Sequence, residues 1–153
     1  MDDGSVDDRA RAPRQAPAAY SGPAVSTPPP GRGHAWTGVF ADPSGAAFKS
    51  IVAGDVILTG SVFGSPIVGA DAVWRALRVA ASIYDDIQFT DVHDTPDRTF
   101  LEWDGHALGH AIAGVTILRT SDGGPIAEVR IHHRPRPALL AFAAELDRRL
   151  PVA

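Results

Sequence analysis

The run from Gly123 to Leu150 constrains this chain most. It reads Gly123-Gly124-Pro125, then Ile126-Ala127-Glu128-Val129-Arg130-Ile131-His132-His133, then Arg134-Pro135-Arg136-Pro137, then an apolar-periodic stretch to Leu150. The glycines supply a turn, and the run after them supplies a strand. The two prolines then lock a corner, because proline fixes its own φ and restricts the residue before it. Beyond the corner, Leu139, Phe142, Ala143, Leu146 and Leu150 recur at helical spacing. A sheet that ends this way is closed by a helix over about 137–150, with His132, His133, Arg134 and Arg136 at the junction.

Three more strand candidates precede that run, at about 87–92, 99–103 and 110–119. Asp94-Thr95-Pro96-Asp97, Asp104-Gly105 and Ser121-Asp122-Gly123-Gly124 read as the turns between strands. Consecutive hairpins of this kind predict an antiparallel meander. Helical signals come earlier. Asp42-Pro43 reads as an N-cap followed by proline at the first helical position, with Gly54 as the stop. Val56 to Leu58 is a short strand, and the glycine-rich 60–69 is a loop held down by Phe63 and Ile67. Residues 70–84 carry Val73, Leu77, Ala80 and Tyr84 at helical spacing, with Trp74 widening the stripe. Helices first and strands clustered afterwards predict an α+β fold, a bent sheet wrapping helices into a cone whose open end is a pocket.

The first third differs in composition. From Met1 to about Gly33 the chain is mostly Asp, Arg, Pro, Ala, Gly and Ser, with little apolar surface to offset its chain entropy. Residues 1–33 are therefore expected to be a disordered tail, and 34–153 the folded domain. The functional alternative for the tail is a proline-rich docking site. Asp2, Asp3, Asp7 and Asp8 stand where a secretory signal would be basic. No run is long enough to span a bilayer. These features predict a cytoplasmic protein. A net charge of −4 with interspersed signs argues against nucleic-acid binding. The chain has no cysteine, which excludes disulfide and thiolate chemistry.

The order of several segments resembles the NTF2-like superfamily, and within it the SnoaL-like bacterial proteins of unassigned function. The residues that carry the resemblance are Asp55-Val56-Ile57-Leu58, Ser65-Pro66 with Gly69 opening a helix, and Ile87-Gln88-Phe89-Thr90-Asp91. Gly114-Val115-Thr116-Ile117-Leu118-Arg119 and the Arg134-Pro135 corner complete the order. The match covers about 36–150. It implies a cone with an apolar cavity between sheet and helices, and a homodimer through the convex sheet face. The superfamily includes ketosteroid isomerases, limonene-epoxide hydrolases, polyketide cyclases, dehydratases and non-catalytic binding proteins, so the fold alone does not fix a function. Relatives often carry an acidic residue where this chain has Thr116, which counts against acid/base chemistry here.

Strand alternation sorts the candidates into faces. Val129, Ile131 and His133 share the expected cavity face, so His133 is a candidate acid/base or ligand-orienting group near neutral pH. The plain alternative is a histidine that merely bonds backbone at the corner. Trp103 shares a face with Leu101 and is suited to stacking on a flat ligand. Glu102 then points to the convex face, and becomes a general-base candidate only if the register shifts by one residue. Ile112, Thr116 and Leu118 lie on one face of their strand and, with Trp74 of the long helix, complete the expected pocket wall. Adjacent His132 and His133 point to opposite faces and cannot pair on a metal. Neither a metal nor a cofactor is expected.

A ketosteroid-type isomerase needs a carboxylate base and a donor for the enolate oxygen. The tyrosines are Tyr20, in the tail, and Tyr84, expected at a helix end, so Asp104 or His133 would have to donate. A limonene-epoxide hydrolase needs two carboxylates around a water, yet Ile131 occupies one of the positions to inspect. Both chemistries are disfavoured. The leading expectation is a pocket for a small, largely apolar molecule. The alternatives are an isomerase, cyclase or epoxide hydrolase acting on a polyketide, steroid or terpenoid-like substrate, and a ligand-free interaction module.

Overall fold

The computed structural model describes residues 31–150. The expected tail lies almost wholly outside them. Helix α1 (Arg32–Gly38) continues into a single 3-10 turn, and α2 (Ala46–Ile51) leads straight into strand β1 (Val52–Gly60). A loop carries the two-residue β2 (Ile67–Val68), and α3 (Ala70–Ala81) follows. Four strands come next: β3 (Tyr84–Asp94), β4 (Arg98–Ala107), β5 (His110–Thr120) and β6 (Ile126–Arg134). The chain closes with α4 (Arg136–Arg149).

The strands form one sheet in the order β2-β1-β6-β5-β4-β3. β3 to β6 make the antiparallel meander. The sheet as a whole is mixed, because β1 runs parallel to β6. The cause is topological. After β1 and β2 the chain crosses through α3 to the far edge, so the meander returns to β1 only with its last strand. Register shifts at Tyr84/Asp86 and Phe89/Asp91 each place an extra residue in β3, and the shift opposite Arg119/Thr120 places one, Ala127, in β6; such bulges bend and twist a sheet locally. The result is an α+β cone.

Several local expectations are corrected. Asp104-Gly105 is no turn: β4 runs through it to Ala107, and the turn falls at Leu108-Gly109, where φ is 54° and 77°. Gly105 is needed inside the strand, since a Cβ there would strike the Asp86 carbonyl. Helix α2 starts at Ala46, not at Pro43. Asp42 still serves it from outside, accepting the N–H of Ser44 at 2.9 Å and of Ala47 at 3.0 Å. Gly45 provides the bend with φ 78°, and the Trp74 indole fills the space a side chain would take. The long helix ends at Ala81, which frees Tyr84 to begin β3.

Helix α1 includes Arg32 and Gly33, two residues that composition groups with the tail. The Arg32 guanidinium, expected in the tail, donates to Thr99 Oγ1 at 3.0 Å, to Pro96 O at 3.1 Å and to the Thr95 carbonyl. It thereby pins α1 to the β3–β4 turn. Two apolar clusters fill the cone. Trp36, Phe48, Val56, Leu58, Val73 and Leu118 pack between α1, α2, α3 and the sheet. Ala138, Phe142 and Leu146 of α4 pack with Ile112 of β5, and Trp103 reaches in from β4. Among the described residues no helix is long and apolar enough to cross a membrane.

Candidate functional site

The concave face of the sheet, α1 and α3 enclose a cavity of about 370 Å³. Its wall is mostly apolar. Trp36 and Phe40 come from α1 and the turn after it, Val62 and Phe63 from the loop after β1, and Leu77 and Ala80 from α3. The sheet contributes Phe89, Trp103 and Ile131. Ala81 and Ile87 line it too and are exposed, so the mouth lies between the end of α3 and β3. The polar wall residues are Thr37, Tyr84, Thr116 and His133, and among the described residues no Asp or Glu lines the cavity.

Two of these polar residues form a pair. The Tyr84 hydroxyl lies 2.6 Å from His133 Nε2. On the other side of the ring, His133 Nδ1 lies 3.3 Å from Ser61 Oγ, which also accepts the backbone N–H of His133 at 2.9 Å. Aromatic rings box the imidazole. Trp103 meets it edge-on at 5.1 Å between centroids, Phe142 lies at 5.0 Å, and the Tyr84 ring is nearly parallel to it at 6.3 Å. Burial, with a smaller push from neighbouring His132, lowers the His133 pKa to about 4. Burial raises the Tyr84 pKa above the ordinary phenol value. Both groups are therefore neutral at neutral pH.

Trp103 is held by two devices. Its indole N–H donates to Thr116 Oγ1 at 3.2 Å. Its ring lies over Gly114, at the place where any Cβ would project. The glycine in β5 thus makes room for the Trp103 ring.

Of the residues expected at the pocket, Trp103, Thr116, Ile131 and His133 stand together on the wall. Three others do not reach it. Trp74 stacks on Phe48 at 5.2 Å and belongs to the core between α2 and α3. Leu118 shares the Thr116 face but lies a pleat further along, completely buried in the same cluster. Ile112 lies on the opposite side of Thr116, under α4. Alternation identifies the face of a residue, not its depth along the cone. Glu102 is exposed on the convex face, paired across to Val115 and Asp91, so the shifted register is not the one formed.

The residue missed was Tyr84, because its spacing from Ala80 continued the helical pattern. The signal against that reading was Ser82 in the preceding turn, together with Ile87 and Phe89, which prolong a strand pattern back toward Tyr84. Ser61 gave no signal, since its role depends on where the loop lands against β6.

Chemically, a neutral phenol and a neutral imidazole form a hydrogen-bonding point, not a strong base. An imidazole with pKa near 4 is poorly matched to abstracting a proton from carbon at neutral pH. Among the described residues no three His, Asp or Glu side chains gather as a metal site.

No protein-family model matches the chain, and no curated protein matches it. Solved structures do. A steroid delta-isomerase from Pseudomonas aeruginosa superposes with a TM-score of 0.68 at 24% identity, over 75% of this chain and 85% of that one. A protein with a cystatin-like fold from Silicibacter pomeroyi gives 0.64 at 17% identity, over 68% and 74%. A hypothetical protein from Catenulispora acidiphila with a ketosteroid isomerase-like fold, in complex with trimethylamine, gives 0.54 at 19% identity, over 72% and 89%. The chain thus has the NTF2-like fold.

Proposed function

We propose that this protein binds a small, largely apolar molecule that carries a hydrogen-bonding oxygen, with the oxygen placed at Tyr84. One observation carries the reading: an apolar cavity of about 370 Å³ with a neutral Tyr84–His133 pair on its wall. Pockets that hold small molecules typically combine such a wall with a few convergent polar groups. The lack of a carboxylate among the described wall residues favours capture over proton abstraction from carbon. Of the structural neighbours, one is named a steroid delta-isomerase. Its chemistry is not carried over, since the His133 and Tyr84 environments favour neutral groups.

The test is a titration with 2-acetylnaphthalene followed by tryptophan emission, on the wild type and on Ala81→Phe. Ala81 is exposed at the mouth, so the added ring obstructs entry without disturbing the core. Saturable binding lost in Ala81→Phe supports the reading. Equal response in both proteins, or none in either, overturns it.

The second part of the proposal is a homodimer through the convex sheet face. Phe100, Val115 and Ile117 form a half-buried apolar row there. Glu102 flanks the row on one side, and Arg130 and His132 on the other. A face that is apolar at its centre and carries both charges at its rim suits a self-complementary contact.

A further inference from the structure

The Tyr84–His133 pair does not end at the imidazole. Ser61 Oγ sits against His133 Nδ1 at 3.3 Å, and Ser61 is exposed, so three groups connect the cavity wall to solvent. Each can both donate and accept. A serine or tyrosine hydroxyl carries one proton and can still accept, and a neutral imidazole donates from one nitrogen and accepts at the other. We infer that Ser61, His133 and Tyr84 form a reversible hydrogen-bond relay that lets the cavity engage either a carbonyl or a hydroxyl ligand at the same place. This inference rests on the ligand-binding reading above.

Two proton arrangements satisfy every distance in the chain. In the first, the Tyr84 O–H donates to Nε2 and the Nδ1–H donates to Ser61 Oγ. The tyrosine oxygen then shows the cavity a lone pair, and accepts from a ligand hydroxyl. In the second, the Ser61 O–H donates to Nδ1 and the Nε2–H donates to the tyrosine oxygen. The tyrosine proton is then free to donate to a ligand carbonyl. Each group keeps one proton in both arrangements, and none becomes charged. The imidazole proton moves from one nitrogen to the other, and the two hydroxyl protons turn to new partners. Solvent at Ser61 and at the open mouth allows that exchange before a ligand seals the site.

Ser61 suits both arrangements. Its oxygen is already placed by the backbone N–H of His133 at 2.9 Å, and it retains a lone pair and its own proton. Because burial keeps the ring neutral, both tautomers are open to it without the cost of charging it.

The experiment uses three naphthalenes of one skeleton: 2-acetylnaphthalene, 1-(2-naphthyl)ethanol and 2-ethylnaphthalene. They carry a carbonyl, a hydroxyl and no oxygen. Dissociation constants are measured by calorimetry, and the His133 tautomer is read from long-range ¹H–¹⁵N correlation spectra of each complex. The expected result is that ketone and alcohol bind comparably, each about tenfold tighter than the ethyl compound. The Nε2–H tautomer is expected with the ketone and the Nδ1–H tautomer with the alcohol. Tyr84→Phe should bring all three ligands to the affinity of the ethyl compound. The same tautomer in both complexes overturns the relay. So does a preference for only one of the oxygen ligands, and these two results leave the ligand-binding reading standing; no preference over the ethyl compound removes the relay and the placement of an oxygen at Tyr84 together. Failure of all three to bind removes both.

Discussion

Replacing His133 with glutamine tests the electrostatic reading of the site through stability alone. The buried imidazole titrates near 4 in the folded protein, against 6.5 for an unperturbed histidine. Between those values the unfolded chain holds the extra proton and the folded chain does not. Stability is therefore full above the unfolded value and declines as pH falls from about 6.5 toward about 4. From about pH 7.5 to about pH 5 the loss assigned to this one residue is about 2 kcal/mol. Stopping at pH 5 keeps the measurement above the range where Glu128 and Glu145, held low by hydrogen bonds from neighbouring arginines, begin to contribute. The assay is urea unfolding followed by tryptophan emission, at both pH values, on wild type and His133→Gln. The variant keeps the other five histidines, so the difference between the two proteins isolates this ring. Wild type should lose about 2 kcal/mol more than the variant across the window. If both decline in parallel, His133 is not a neutral buried group, and the hydrogen-bonding account of the cavity loses its basis.

Three further outcomes are expected. Gly114→Ala places a methyl against the Trp103 ring and the His132 carbonyl, and should cost about 1–3 kcal/mol in urea unfolding while Ala113→Gly, on the other face, costs less. Arg32→Ala removes the donor that Thr99 Oγ1 and the β3–β4 turn share, so amide exchange in α1 should rise well before exchange in β5 does. Ile117→Asp puts a charge in the centre of the convex row and should shift light-scattering mass from dimer to monomer without lowering helix content. A wild-type protein that is already monomeric refutes the dimer.

The α+β order was readable because periodicity survives in long elements: α3, β5, β6 and α4 each announce themselves by spacing. The parallel pairing of β1 with β6 was not, since it depends on where a crossover returns. Asp104-Gly105 misled because turn chemistry marks where a turn is tolerated, while Gly105 is required for backbone clearance inside β4. At the site, His133 and Thr116 followed from alternation, which a bound register preserves. Trp74, Ile112 and Leu118 did not, because they have the right face at the wrong depth. Tyr84 was obscured for a further reason. It sits at a helix-to-strand junction, where the two periods overlap and a single residue fits both.

Among the described residues strand β3 forms one margin of the sheet, and its eleven residues have no strand neighbour on their outer side. Such a margin is a template on which another chain could grow. Asp85, Asp86 and Asp91 are exposed along it. A second copy of the strand laid alongside would bring carboxylates together, so the margin discourages fibre-like growth by repulsion without needing a cover. The same strand carries Tyr84 into the cavity. Substitutions in β3 therefore answer to two demands at once: those that sharpen ligand capture by adding apolar surface near the mouth are the ones expected to erode colloidal stability.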